Sequence, residues 1–185
     1  NANFKDINGN LYTKDGKTLL QYAKGKKDAS FTIPNGVETI GSYAFYDCDR
    51  LTSIEIGDNV ISIGNEAFNN CDSLTSVVIG DSVTSIGWYA FDGCGSLASV
   101  VIPNSVTTIG IGAFAYCNGL TSVVIPDSVT TLDNEAFQYC TGLTSVVIGN
   151  GIRCIDVSAF NGCSSLTSVV IPDSVTDIDA WAFYN

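Results

Sequence analysis

Residues 120–142 read LTSVVIPDSVTTLDNEAFQYCTG. Leu120, Val123 and Ile125 alternate with Ser122 and Val124, the period-two pattern of a short strand with one buried face. Pro126 removes a ladder donor and ends that strand. Asp127 and Ser128 form a turn. Val129 and Leu132 re-enter the core as a second extended piece. Ala136, Phe137 and Cys140 have the spacing of one face of a helical or 3₁₀ turn. The stretch therefore predicts one strand, a second short extended segment and a tight helical turn.

The same pattern recurs on both sides of it. Phenylalanines stand at 45, 68, 91, 114, 137, 160 and 183, and cysteines at 48, 71, 94, 117, 140 and 163, always 23 residues apart. Leu51, Leu74, Leu97, Leu120, Leu143 and Leu166 keep the same step. A fixed period of this length predicts a solenoid in which each repeat is one coil stacked on the next. Coils fall at 28–50, 51–73, 74–96, 97–119, 120–142 and 143–165, and a seventh, 166–185, is incomplete. Stacking sets equivalent strands parallel, about 4.8 Å apart, in a curved sheet along one face. One coil alone cannot offset its backbone entropy; neighbours make the core continuous.

The chain has 185 residues, with 19 acids against 8 bases and a net charge of −11. Residues 1–27 carry six lysines against Asp6 and Asp15, a net of +4, whereas residues 28–185 carry two arginines against 17 acids, a net of −15. That contrast places a boundary near Asp28. Two domains are expected: an N-terminal β-hairpin cap or small meander at 1–27, and the solenoid at 28–185. Asn8-Gly9 and Asp15-Gly16 are its turn pairs. The acidic balance argues against nucleic acid as a partner, and no apolar run approaches the roughly 20 residues of a membrane span.

The pattern L-T-S-V-V-I-P-D-S-V-T-x-[IL]-x-x-x-A-F-x-x-C resembles the BspA-type leucine-rich repeat, over residues 28–185. The segment Phe4–Tyr22 resembles the leader that often precedes such repeats. The resemblance implies a right-handed leucine-rich-repeat coil with a parallel β-sheet on one face. It also implies a secreted or cell-surface protein of bacteria or protists, engaged in adhesion to a protein or glycan. The chain begins at Asn1 and shows no signal peptide, so the surface localisation rests on that likeness.

An enzyme is not expected. With no histidine there is no Ser-His-Asp or Cys-His machinery and no imidazole metal ligand. Carboxylates in a uniform ladder lack the unlike environments that an acid and a base require. The cysteine ladder reads as free thiols packed as small hydrophobes. A 23-residue step gives a line of sulfurs rather than a zinc cluster, and the strand spacing exceeds the Cβ separation of a disulfide. Cys154 lies off the ladder and is the candidate exposed thiol.

Gly41, Gly64, Gly87 and Gly110 give way in the same register to Asp133, Asp156 and Asp179. Stacked carboxylates either form a solvated acidic edge or gather a cation, and an all-oxygen set suits Ca²⁺. No other cofactor is indicated. Recognition is expected on the outer face of the sheet, where Val78, Val101, Val124, Val147 and Val170 line up beside serines and threonines. Trp88, Tyr89, Tyr116, Tyr139 and Trp181, in the slots around Ala-Phe, are further candidates because aromatics are enriched at interfaces and stack on sugars. The alternative role is a structural subunit polymerising head to tail. The last coil stops at Asn185, leaving Val169, Ile171 and Ile178 without a following coil, and Asp173, Asp177 and Asp179 oppose the basic cap. Further repeats beyond residue 185 are the other reading of that end.

Overall fold

The computed structural model describes all 185 residues. Strands β1 (Phe4–Ile7), β2 (Asn10–Thr13) and β3 (Thr18–Gln21) form an antiparallel meander, with Gly9 and Gly16 at positive φ in its two turns. Each coil then contributes two strands. These are β4 (Ser30–Thr32) and β5 (Thr39–Ile40); β6 (Ser53–Ile56) and β7 (Ser62–Ile63); β8 (Ser76–Ile79) and β9 (Ser85–Ile86); β10 (Ser99–Val100) and β11 (Thr108–Ile109). The series continues with β12 (Ser122–Ile125) and β13 (Thr131–Leu132); β14 (Ser145–Ile148) and β15 (Cys154–Ile155); β16 (Ser168–Val170) and β17 (Asp177–Ile178). Every pairing between coils is parallel, in a register of 23 residues.

The meander joins the solenoid directly. β3 pairs in parallel with β5, setting Leu19 opposite Ile40. Tyr22 takes the place of a phenylalanine one repeat before Phe45, its ring stacked 5.1 Å from the Phe45 ring. The stack runs from there through Phe68, Phe91, Phe114, Phe137 and Phe160 to Phe183, with centroids 4.8–5.5 Å apart. Leu, Val, Ile, Ala and Cys ladders fill the space around it as one core of 50 residues.

The expected helical turn is absent. Ala-Phe is flanked by two residues at positive φ, four apart: Tyr43 and Asp47, Glu66 and Asn70, Tyr89 and Gly93, Gly112 and Tyr116, Glu135 and Tyr139, Ser158 and Gly162. A left-handed residue every fourth position cannot continue a right-handed helix. The amides alternate instead. Ala44, Tyr46 and Cys48 donate to the carbonyls three residues back, while Tyr43, Phe45 and Asp47 donate to Asn65, Ala67 and Asn69 of the next coil at 2.7–3.0 Å. The i, i+1, i+4 spacing that looks helical thus belongs to a third row of bonds between coils.

The strand faces are also less continuous than expected. On the first face β4, β6, β8 and β10 form one sheet and β12, β14 and β16 another. No backbone hydrogen bond joins residues 97–103 to residues 120–126. On the second face β3 to β13 are continuous, and the break comes one coil later, before β15 and β17. Threonine hydroxyls brace the first face: Thr52, Thr75, Thr144 and Thr167 each donate to the carbonyl 23 residues back, at 2.9–3.3 Å. Across the break Thr121 makes no such bond to Ala98, and Ala98, one coil earlier, has no hydroxyl to donate to Thr75.

Candidate functional site

Each four-residue strand of the first face points two side chains inward and two outward. In β12, Val123 and Ile125 are buried while Ser122 and Val124 are exposed. Repetition turns Val124 into a stripe with Val78, Val101, Val147 and Val170, and exposure along it ranges from 40% at Val147 to 78% at Val101. Across the sheet break the stripe becomes the wall of a groove of about 800 Å³. Val101, Val124, Val147 and Val170 line it, with Ser99 and Ser122, and Pro126, Pro172, Asn104, Asp127 and Asn150 are also in the lining. Val78 lies on the same face but outside the groove. Asp127 is the single charged group in the lining, and its Oδ1 accepts from the Asn150 backbone N–H at 2.7 Å. Apolar walls, few polar groups and idle strand-edge amides on the floor suit a binding cleft. The sequence carries no signal for this break, since Thr121, the residue that would brace it, is a threonine like its counterparts.

The aromatic candidates lie on the Ala-Phe turns. Tyr116 and Tyr139 stack with centroids 5.1 Å apart. Tyr89 covers Gly112, Tyr139 covers Gly162 and Trp88 covers Gly110, each leaning onto a glycine of the next coil where a Cβ would collide with the ring. Trp181, in the last coil, is 65% exposed. Burial, followed by the nearby carboxylates Glu135 and Asp92, raises the hydroxyl pKa of Tyr89; Tyr116 is raised by burial, then Tyr139, Asp92 and Glu135. Asp92 is a residue that the sequence pattern did not single out. Its Oδ2 accepts from Asn69 Nδ2 at 3.1 Å, its Oδ1 is enclosed without a partner, and burial pushes its pKa up to about 6.

Of the aspartate ladder, Asp156 and Asp179 converge with Cys154, their ligand atoms within 4.8 Å of one another. Asp133 is the neighbour on the other side of Asp156. Burial first, and the Asp156 charge second, raise its carboxyl pKa. Cys154 is part-exposed and its thiol is pushed up to about 12, by burial, the hydrogen bond to Asp156 and the surrounding aspartates. The six ladder cysteines are free and buried.

A model of the BspA type leucine rich repeat region matches residues 22–144 and 131–185. The chain belongs to the BspA-type leucine-rich repeat family. Its fold is close to a leucine-rich repeat protein from T. pallidum, at 30% identity and a TM-score of 0.83 over 91% of this chain and 82% of that one. A leucine-rich repeat protein from Eubacterium ventriosum superposes on all of this chain with a TM-score of 0.92 at 32% identity, and this chain spans 50% of its length. A leucine-rich cell surface protein from Faecalibacterium prausnitzii shares 29% identity over 90% of this BspA-type chain and 39% of its own, with a TM-score of 0.63. No curated protein matches the sequence. No helix in this repeat protein is long and apolar enough to cross a membrane.

Proposed function

We propose that this chain is a non-enzymatic binding module, displayed at a cell surface or secreted, whose ligand lies in the valine groove. The groove itself carries the reading: an apolar cleft of about 800 Å³ on the solenoid face, opened where the strand ladder is interrupted. Its walls are aliphatic and hold no aromatic ring for a sugar to stack on, which favours a protein ligand over a glycan. Arrays of extracellular proteins and of glycans, probed with wild type and Val124→Asp, test it. Val124 is exposed, so the variant should melt like wild type. Protein hits lost in Val124→Asp support the groove; hits that survive the substitution, or hits confined to glycans, overturn it.

A second reading, self-association head to tail, draws on the cap. β1 is an edge strand of the basic meander and exposes Phe4 and Ile7. Light scattering over a concentration series distinguishes the two: a structural subunit gains mass with concentration and loses it with salt, while a binding module stays constant.

A further inference from the structure

Residues 51–152 contain nine carboxylates and neither a lysine nor an arginine. In the middle of that stretch, consecutive coils set Tyr89, Asp92, Tyr116, Glu135 and Tyr139 on the Ala-Phe turns: Tyr89 lies over Gly112, one repeat before Glu135, and Tyr116 is one repeat after Gly93, the residue beside Asp92. Tyr116 is 47% exposed, its ring stacked on Tyr139. Asp92 is held by Asn69 through one oxygen, and its other oxygen is enclosed without a partner, so its charge acts on the patch through space. These acids have no counterion from their own part of the chain.

The first coil shows what such a surface holds. There Lys24 Nζ lies 5.0 Å from the centroid of the Tyr46 ring and 3.8 Å from Asp47 Oδ2. Tyr46 is two repeats before Asp92 in the 23-residue register, and Asp47 is three and four repeats before Tyr116 and Tyr139. The same two positions of the turn therefore carry a ring and a carboxylate in both places, with the order exchanged. In the first coil the cap supplies the ammonium; in the third to fifth coils nothing in the chain does.

We propose that the face carrying Tyr89, Asp92, Tyr116, Glu135 and Tyr139 is a second binding site that takes an alkylammonium group, the ε-amino group of a lysine on an extended peptide. The ring faces attract the cation through their quadrupoles, Glu135 adds a charge-assisted hydrogen bond, and the enclosed Asp92 adds its negative field. A neutral sugar stacks on the same rings but leaves the uncompensated charge as it is, so the charge decides between them. None of the five residues lines the valine groove, and the site stands or falls independently of it.

An N-acetylated, C-amidated tetralysine peptide is the probe, titrated calorimetrically at low salt and again at about 150 mM salt. The Tyr116→Ala/Tyr139→Ala double variant keeps the net charge, and Asp92→Asn changes one group at the centre of the patch. Both are checked by thermal melts, and Val124→Asp serves as the groove control. Affinity for tetralysine is expected to fall about tenfold in the double variant and in Asp92→Asn, and to hold in Val124→Asp. Unchanged affinity in the double variant would mean that the peptide only samples an acidic surface, and overturns the site. So does binding of a neutral chitotetraose without tetralysine, or no tetralysine binding at millimolar concentration.

Discussion

Cys140 Sγ donates a hydrogen bond to the carbonyl oxygen of Phe114, 3.0 Å away and 26 residues earlier. Cys71, Cys94, Cys117 and Cys163 make the same bond to Phe45, Phe68, Phe91 and Phe137 at 3.1–3.2 Å. A small hydrophobe would explain the burial of this position but not the preference for sulfur; a thiol fills the space and ties the coil to its predecessor. Cys140→Ala should cost about 1–2 kcal/mol in a denaturant melt, from the lost bond and the space left by the sulfur. Burial also pushes the Cys71 thiol up to about 12 and the Cys163 thiol up to about 11. A disulfide exchange reagent at neutral pH should therefore find the ladder inert in the native protein and all seven thiols reactive in guanidinium. Rapid native reaction of several thiols is the outcome that contradicts this.

Phe114 sits in the middle of the ring stack, 5.2 Å from both Phe91 and Phe137. Phe114→Ala removes contacts to two neighbouring coils at once and should cost about 3–5 kcal/mol. Phe114→Leu keeps most of the volume and should cost about 1–2 kcal/mol. A loss below about 1 kcal/mol for the alanine variant would mean that the coils relax to close the cavity.

The repeat made the coils, the strands and the ring stack legible, because a 23-residue step in Phe, Cys and Leu has one economical solution. The turns were misread, since Ala136, Phe137 and Cys140 have helical spacing while Glu135 and Tyr139 adopt left-handed φ, a choice set by bonds to the next coil. The stripe of valines was readable from alternation, but the groove was not: it needs the sheet to break between β10 and β12, and Thr121, which would brace that gap, is a threonine like its counterparts. The hydroxyl brace itself is testable one coil earlier, where Ala98 lacks it. Ala98→Thr supplies a hydroxyl able to reach the Thr75 carbonyl, as Thr75 does to that of Thr52 at 3.0 Å. It should stabilise the protein by about 0.5–1 kcal/mol and slow hydrogen exchange at Ser99 and Val100. Unchanged or faster exchange there would show that the hydroxyl adds nothing to the pairing of β10 with β8.

Asp156 and Asp179 lie with Cys154 where the second face is interrupted. Removing the Asp156 charge takes away an anion that opposes the thiolate, so Asp156→Asn should lower the Cys154 pKa from about 12 and speed its alkylation by iodoacetamide. The Ca²⁺ reading of Asp133, Asp156 and Asp179 is checked on the same variant. Ca²⁺ at about tenfold over its dissociation constant is expected to raise Tm by about 3 °C in wild type and not in Asp156→Asn. Equal melting temperatures in Ca²⁺ and in EDTA would leave a solvated acidic edge.

Asp92 makes stability depend on pH in a direction opposite to that of a paired surface carboxylate. Burial raises its pKa from 3.8 to about 6, against the opposing hydrogen bond from Asn69. Between those two values the unfolded chain has released the proton while the folded chain still holds it. Asp92's contribution is therefore most favourable below about pH 4, declines as pH climbs toward 6, and stays low above that. Solvent screening at this half-buried group reduces the effect to roughly 1–2 kcal/mol. Asp92→Asn places a neutral amide in the same contact with Asn69, so it should be more stable than wild type by about that amount at pH 7 and no different at pH 4. Denaturant melts of both proteins at pH 4, 5, 6 and 7 read the difference directly. A variant less stable than wild type at pH 7 would show that the charged carboxylate is held by an interaction stronger than its burial, and the sign of the argument would reverse.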